Sequence, residues 1–288
     1  MTVAGPARYT VCSRWRNIVV GNAPGPVTQP EPRYEFPRLP LARFVLSVAL
    51  AQRRSFAKDS QRVLDANPNP RRVEGLDNVP AKGPFVLAMN HYNREGLRPY
   101  HCAMMISAAL AERRPGQPEI RWAFASELYG KHLGPVPIPV PLIRWVFRRF
   151  ARIYNLVVMP RRDELVVGRA AALRRLAKAL ADAPVGLTPE AAGSGKLMEP
   201  PKGTGLFFAL LARCGYPVLP VAVWEDDRTL VVRFGEAFRL ALAEGLPRNE
   251  QDRLAREQVM TAIGRLLPRT YWGAYEASIE RTLRSEPA

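Results

Sequence analysis

One of the three histidines in this 288-residue chain occupies a position suited to chemistry. His91 follows the apolar run FVLAM at residues 85–89, which has the composition of a buried strand. Parallel α/β sheets place their sites at the carboxyl ends of strands, and imidazole titrates close enough to neutral pH to act there as a general base. A loop histidine that only hydrogen-bonds its neighbours is the alternative. Position alone does not decide between the two.

The remaining sequence predicts the elements that would position His91. Short apolar runs predict strands at residues 85–89, 120–125, 156–159, 185–188, 218–224 and 230–234. Helical periodicity predicts helices at residues 95–111, 142–153, 163–181 and 205–213. Strands alternating with helices indicate an α/β fold with a largely parallel central sheet flanked by helices.

Composition divides the chain into four predicted parts. Residues 1–38 are rich in Gly and Pro and predict a flexible N-terminal tail. Residues 39–70 predict an N-terminal helical segment, with one amphipathic helix at 41–64 that is ended by the sequence NPNP. Residues 71–245 form the predicted α/β domain, and residues 246–288 predict C-terminal helices.

Several short segments between residues 71 and 224 form an ordered series. They are GPFVLAMNH at 83–91, LVVMPR at 156–161, LTPE at 187–190, KGTG at 202–205 and YPVLPVA at 216–222. In order and spacing, this series resembles the motifs of the glycerolipid acyltransferase family, which includes the 1-acylglycerol-3-phosphate acyltransferases. The resemblance covers roughly half of the chain.

The resemblance implies transfer of a fatty acyl group from a thioester, acyl-CoA or acyl carrier protein, to the hydroxyl of a lysophospholipid such as 1-acylglycerol-3-phosphate. It implies neither a cofactor nor a metal. His91 would be the general base, and the implied substrate-binding residues are Asn90, Arg161, Glu190 and Lys202. Guanidinium groups match phosphate oxygens bidentately, which suits Arg161 to the acceptor phosphate. Without the resemblance, Arg161 and Arg162 are an exposed basic pair beside acidic neighbours.

The chain departs from the family pattern at two places. The family has Asp five residues after the histidine, where this chain has Gly96; the nearest carboxylate is Glu95. Either Glu95 is catalytic and orients His91, or it lies in the first turn of a helix capped by Asn93. A phosphate-binding Gly-Thr-Arg follows the family glutamate, but residues 191–193 are Ala-Ala-Gly. Lys196 is the candidate replacement for that missing arginine.

Charge points to an anionic partner. The 42 Lys and Arg residues outnumber 26 Asp and Glu residues, which gives a net charge of +16. Such a field attracts anionic lipid, phosphorylated substrates or nucleic acid, and no nucleic-acid recognition motif accompanies it. Residues 142–154 predict a helix with an apolar face and a row of arginines, suited either to lying on anionic lipid or to packing on a core.

Three widely spaced cysteines suit a reducing cytoplasm. We therefore predict a cytoplasmic enzyme that binds peripherally to the inner face of the membrane. A catalytically degenerate family member that binds lipid or acts as a scaffold is the alternative. The sequence gives no indication of the oligomeric state.

Overall fold

The computed structural model describes residues 31–36, 38–125, 132–133, 136–137, 139–159, 166–191, 193 and 195–285. Pro32–Ala288 forms one compact unit. Arg161 and Arg162 lie outside the described residues. The divisions proposed at residues 38, 70 and 245 stay predictions, although Tyr34, within the predicted tail, is a buried core residue.

The described part of the chain forms a central sheet and a separate two-stranded hairpin. Its strands are β1 (Arg71–Glu74), β2 (Val86–Met89), β3 (Arg121–Ala125), β4 (His132–Leu133), β5 (Val136–Pro137), β6 (Val157–Met159), β7 (Val185–Leu187), β8 (Val218–Asp226) and β9 (Thr229–Phe234). The central sheet has seven strands in the order β1-β9-β8-β2-β7-β3-β6, and β4 and β5 form the hairpin. Strands β8, β2, β7, β3 and β6 run parallel, whereas β9 is antiparallel to β8 and pairs in parallel with β1.

Helices pack around this sheet. They are α1 (Arg38–Leu50), α2 (Phe56–Asp65), α3 (Pro99–Arg113), α4 (Val140–Tyr154), α5 (Val166–Leu180), α6 (Thr204–Arg213), α7 (Arg248–Gly264) and α8 (Glu276–Ser285). Within the described ranges, none of them combines the length and apolar content that a membrane span requires.

The predicted fold class is confirmed, and each of the six predicted strands is present. The central strands β2 and β7 are buried along their whole length, as expected for parallel strands covered on both faces. Strand β1 was not predicted. Its sequence RRVE is mostly polar and exposed, because it lies at the edge of the sheet and pairs on one side with β9.

The single helix predicted at residues 41–64 is wrong, because two helices occupy that segment. Helix α1 ends at Leu50, and Ala51 follows with a left-handed φ of 53° that no helix interior accepts. Helix α2 then begins at Phe56, where the Ser55 side chain accepts a hydrogen bond from the Lys58 backbone N–H and so caps the first turn. The helix predicted from residue 95 also begins later, at Pro99.

The fold brings several of the predicted motifs to one edge. Strands β7, β2 and β8 are neighbours and run parallel, so their carboxyl ends meet at the same edge of the sheet. His91 lies two residues beyond β2, and Glu190 lies three residues beyond β7. This edge therefore brings two of the predicted site residues into contact.

Candidate active site

His91 is half-buried at this edge. Its Nδ1 atom is buried and forms no hydrogen bond within the described part of the chain. Burial lowers the pKa of His91, and an interaction with its own backbone opposes that shift in part. The lowered pKa keeps the imidazole neutral at pH 7, which is the form that accepts a proton.

Glu190 holds the backbone of His91. Its Oε2 atom accepts a hydrogen bond of 2.6 Å from the His91 backbone N–H, and its Oε1 atom accepts one of 2.7 Å from the Met198 backbone N–H. The residue is only 2% exposed. Burial raises the pKa of Glu190 to about 7, while the two backbone donors act in the opposite direction. Both carboxylate oxygens therefore have protein partners, although Glu190 is predicted to bind the acceptor.

Gly193 forms the wall beside the imidazole. A Cβ atom added there would lie 1.8 Å from the His91 carbonyl oxygen and 2.4 Å from His91 Nδ1, so only glycine fits. Ala191, two residues earlier, has a φ of 59° in the left-handed region. The sequence departs from the family pattern in this loop, and the loop packs directly against the candidate base.

Asn90 binds the neighbouring strand β8. Its Nδ2 group donates to the Val223 carbonyl oxygen at 2.8 Å, and its Oδ1 atom accepts from the Val223 backbone N–H at 2.7 Å. The side chain is 5% exposed. The structure thus assigns Asn90 a role in joining the His91 loop to β8, and the predicted substrate contact stays a prediction.

Glu95 is not brought to the imidazole by any contact among the described residues. Its carboxylate forms an ion pair of 2.6 Å with Arg33, and both side chains are mostly exposed. Asn93 does not cap a helix, since helix α3 has Arg98 at its N-cap and the Asn93 side chain accepts a hydrogen bond from the Arg98 guanidinium. Gly96 has a φ of 76°, and an added Cβ atom would lie 2.7 Å from Arg33 Cγ.

Two predicted substrate-binding lysines are exposed. Lys196 lies in the segment whose Met198 backbone binds Glu190. Lys202 precedes helix α6, where Asp252 of helix α7 accepts hydrogen bonds from the backbone N–H groups of Gly203 and Leu206. Arg161 follows strand β6 but is outside the described residues.

A second, half-buried carboxylate at this edge was missed by the sequence analysis. Glu225, close to the end of β8, forms an ion pair with Arg94 and accepts a hydrogen bond of 3.0 Å from the Tyr92 hydroxyl. Glu225 and Arg94 are separated by 131 residues, so no local pattern could indicate their contact.

Neither the protein-family models nor the curated proteins include a match to this chain. Among solved structures, the chain is similar to the 1-acyl-sn-glycerophosphate (LPA) acyltransferase PlsC from Thermotoga maritima, with 17% sequence identity and a TM-score of 0.46. The match covers 88% of this chain and 86% of that one.

Proposed function

We propose that this chain is an acyltransferase that moves a fatty acyl group from a thioester to the hydroxyl of a phosphate-bearing lysophospholipid. The observation that carries the proposal is the convergence of two distant segments, the loop after β7 and strand β8, on His91 and its neighbour Asn90. The Glu190 carboxylate binds the backbone of His91, Gly193 packs on its ring, and Asn90 ties its strand to β8. A neutral, half-buried imidazole held in this way is suited to general-base catalysis.

In the proposed reaction, His91 accepts the proton of the lysophospholipid hydroxyl as its oxygen attacks the thioester carbonyl carbon. The tetrahedral intermediate then collapses, the carbon–sulfur bond breaks, and the thiolate leaves with a proton from the imidazolium. The product is an ester, and no covalent enzyme intermediate is needed. Arg161 and Lys196 are the proposed partners of the acceptor phosphate, because charge-assisted hydrogen bonds to phosphate are strong.

We also propose that the enzyme works at the inner, cytoplasmic face of a membrane through helices α1 and α4. These helices pack against each other, with Phe44 stacked on Tyr154 at 6.2 Å. Only part of the apolar face predicted for α4 packs on the core. Ile153, near the end of the helix, is buried, whereas apolar residues near the start of the helix are exposed. Among the side chains that the structure describes in this pair, the exposed large apolar ones are Val45, Leu46, Leu50, Leu142, Trp145 and Val146.

The positive charge on the surface of α1 and α4 favours anionic lipid as its partner. Arg148 and Arg152 are exposed on α4, and the guanidinium of Arg149 lies 5.2 Å from the Trp145 ring centre. Apolar side chains beside an exposed basic row are what an interfacial helix needs on anionic lipid. The net charge of +16 acts in the same direction.

A catalytically degenerate lipid-binding protein is the second candidate. It is favoured by one observation, which is that the described residues give His91 Nδ1 no carboxylate partner. In Ser-His-Asp enzymes, loss of the equivalent carboxylate reduces turnover about 10⁴-fold. A histidine without that partner is consistent with weak or absent catalysis.

A transfer assay with radiolabelled acyl-CoA and a panel of lysophospholipids separates the two candidates. We expect a labelled diacyl product with 1-acylglycerol-3-phosphate and at least about tenfold less with 1-acylglycerol, which lacks the phosphate, because hydrogen bonds to charged groups contribute about 1.5–3 kcal/mol. Vesicle binding without product from any acceptor, using both acyl-CoA and acyl carrier protein donors, would favour the degenerate protein.

A further inference from the structure

The loop between strand β2 and helix α3 carries His91 but contains almost no regular structure. Among the described residues its backbone hydrogen bonds are local turns and the Arg94–Leu97 bridge, apart from one that the Tyr34 N–H donates to the Gly96 carbonyl oxygen. Gly96 lies five residues after His91, so the backbone next to His91 is fastened to its surroundings mainly by side chains. Asn90 and Glu190 are two of those fastenings.

We propose that Glu225 is a positioning residue for His91, which it fixes through Tyr92 and Arg94. This inference rests on the proposed function in one respect, because it takes His91 to be the general base. Within the described residues, Glu225 contacts the loop residues Tyr92 and Arg94 and not the imidazole. It acts on the two loop residues that follow His91.

The contacts of Glu225 are numerous and largely shielded from water. Its Oε2 atom accepts hydrogen bonds from Arg94 Nε at 2.5 Å and from the Tyr92 hydroxyl at 3.0 Å, and its Oε1 atom binds Arg94 Nη2. The side chains of Glu225 and Arg94 are 12% and 15% exposed. A bidentate guanidinium–carboxylate pair fixes orientation as well as distance.

The register of these contacts places His91 between two anchors on one strand. Asn90 binds Val223, and Tyr92 binds Glu225. Val223 and Glu225 are two residues apart on β8, and Asn90 and Tyr92 are two residues apart on either side of His91. One anchor alone leaves the chain free to rotate beyond it, whereas two anchors restrict the backbone from which the imidazole projects.

Arg94 and Tyr92 connect the loop to two further segments, at Pro32 and Tyr271. The Arg94 Nη1 group donates to the Glu95 carbonyl oxygen, and the Nη2 group donates to the Pro32 carbonyl oxygen at 2.7 Å. Tyr92 packs edge-on against Tyr271, whose hydroxyl donates to the Glu225 carbonyl oxygen at 3.1 Å. Burial and the Glu225 carboxylate raise the pKa of Tyr92, so its phenol keeps the proton that it donates.

The test compares Glu225→Gln with Asp226→Asn in the full-length protein. Asp226 is the next residue on β8 and forms an exposed ion pair with Arg72, so its variant controls for the loss of a carboxylate on this strand. We expect Glu225→Gln to lower kcat about 10–100-fold, because small displacements of a catalytic group cost up to about 100-fold in rate. The acceptor KM should stay within about twofold, and Asp226→Asn should leave both constants within about twofold of wild type.

Backbone hydrogen exchange of residues 90–97 gives a second readout that needs no activity. Glu225→Gln should speed exchange of these amides, and Asp226→Asn should not. If the wild type transfers no acyl group, the proposed function fails. Hydrogen exchange of residues 90–97 then still tests whether Glu225 fixes the loop that carries His91. A purely structural role would lower the melting temperature without changing kcat of the folded protein or exchange in the loop, and that result would overturn the proposal.

Tyr92→Phe provides a milder variant in case Glu225→Gln does not fold. It removes one hydroxyl and one hydrogen bond to Glu225. We expect faster exchange at residues 90–97 and, where transfer is measurable, a roughly threefold to tenfold lower kcat, since the variant loses one hydrogen bond to a charged group but keeps the Arg94–Glu225 pair. Exchange identical to wild type in Tyr92→Phe would overturn the proposal.

Discussion

The Glu190 carboxylate lies 2.6 Å from the backbone nitrogen of His91. The resemblance to acyltransferases implies that this glutamate binds the acceptor, yet its second oxygen is occupied by the Met198 backbone N–H and the side chain is 2% exposed. Glu190 therefore holds the His91 loop against the loop that follows β7. Because it is a buried carboxylate, its ionisation is coupled to stability.

The first prediction concerns the pH dependence of that stability. The pKa of Glu190 is about 7 in the folded chain, against an ordinary value of 4.5. Below pH 4.5 the group is protonated in both states. Between pH 4.5 and 7 only the unfolded chain releases the proton, so the contribution of Glu190 to the free energy of unfolding falls as pH rises, by about 1.4 kcal/mol per pKa unit of separation at most.

Urea denaturation at pH 5, 6 and 8 checks this prediction, with Glu190→Gln as the control. The unfolding free energy of the wild type minus that of Glu190→Gln should decrease as pH rises to 7 and then level off. Parallel pH profiles for the two proteins would show that Glu190 titrates at the same pH in both states.

The second prediction concerns Glu95. Glu95→Gln should leave acyl transfer within about twofold of wild type and change the unfolding free energy by less than about 1 kcal/mol, because an exposed ion pair such as Glu95–Arg33 contributes little. Steady-state kinetics and urea denaturation measure both effects. A tenfold or greater fall in kcat would instead show that Glu95 acts on His91 during catalysis.

Much of the fold was predictable because local patterns determine it. Short apolar runs marked β2, β7 and β8, and their shared direction followed from the helices between them. The positions of Asn90 and His91 at the end of β2 followed as well. The polar edge strand β1 and the break at Ala51 were not predictable, since the first depends on pairing with β9 and the second on a backbone angle.

The partners of the site residues were the least predictable part. Glu190 meets His91 across 99 residues of chain, and Arg94 meets Glu225 across 131. Nothing adjacent to these residues in the sequence signals either contact. Family resemblance named residues at the site, but their hydrogen bonds depend on the complete fold.

The third prediction concerns the loop after Glu190. Ala191 adopts a φ of 59°, where a side chain is strained by about 1 kcal/mol and glycine is not. Ala191→Gly should therefore be neutral or stabilising by up to about 1 kcal/mol despite the greater entropy of unfolded glycine. Ala111→Gly, at an exposed position of helix α3, is the control and should destabilise by about 1 kcal/mol. Urea denaturation measures the unfolding free energy of both variants. An equal decrease in the two would show that the Ala191 backbone is not strained.

The fourth prediction concerns lipid binding. In liposome sedimentation, binding should need anionic lipid and weaken between low and physiological salt, since exposed charges are screened over about 8–10 Å at these ionic strengths. Leu46→Gln, on the exposed part of α1, should weaken binding about tenfold, because burying a leucine contributes about 1.5–3 kcal/mol.

Leu283→Gln is the matched control for lipid binding. Leu283 is 45% exposed on helix α8, compared with 58% for Leu46 on α1, and it is not part of the proposed lipid surface. Its substitution should leave vesicle binding unchanged. Equal binding to neutral vesicles at high salt, or equal losses in the two variants, would contradict a lipid surface on α1 and α4.

The most direct test of the proposed function is acyl transfer by His91→Gln. Glutamine is close in size to histidine but cannot accept the hydroxyl proton at neutral pH, so kcat should fall about 10²–10⁴-fold, which is the usual contribution of general acid–base catalysis. The circular dichroism spectrum and vesicle binding should stay those of wild type. A His91→Gln protein that transfers acyl groups at the wild-type rate would contradict the proposed mechanism.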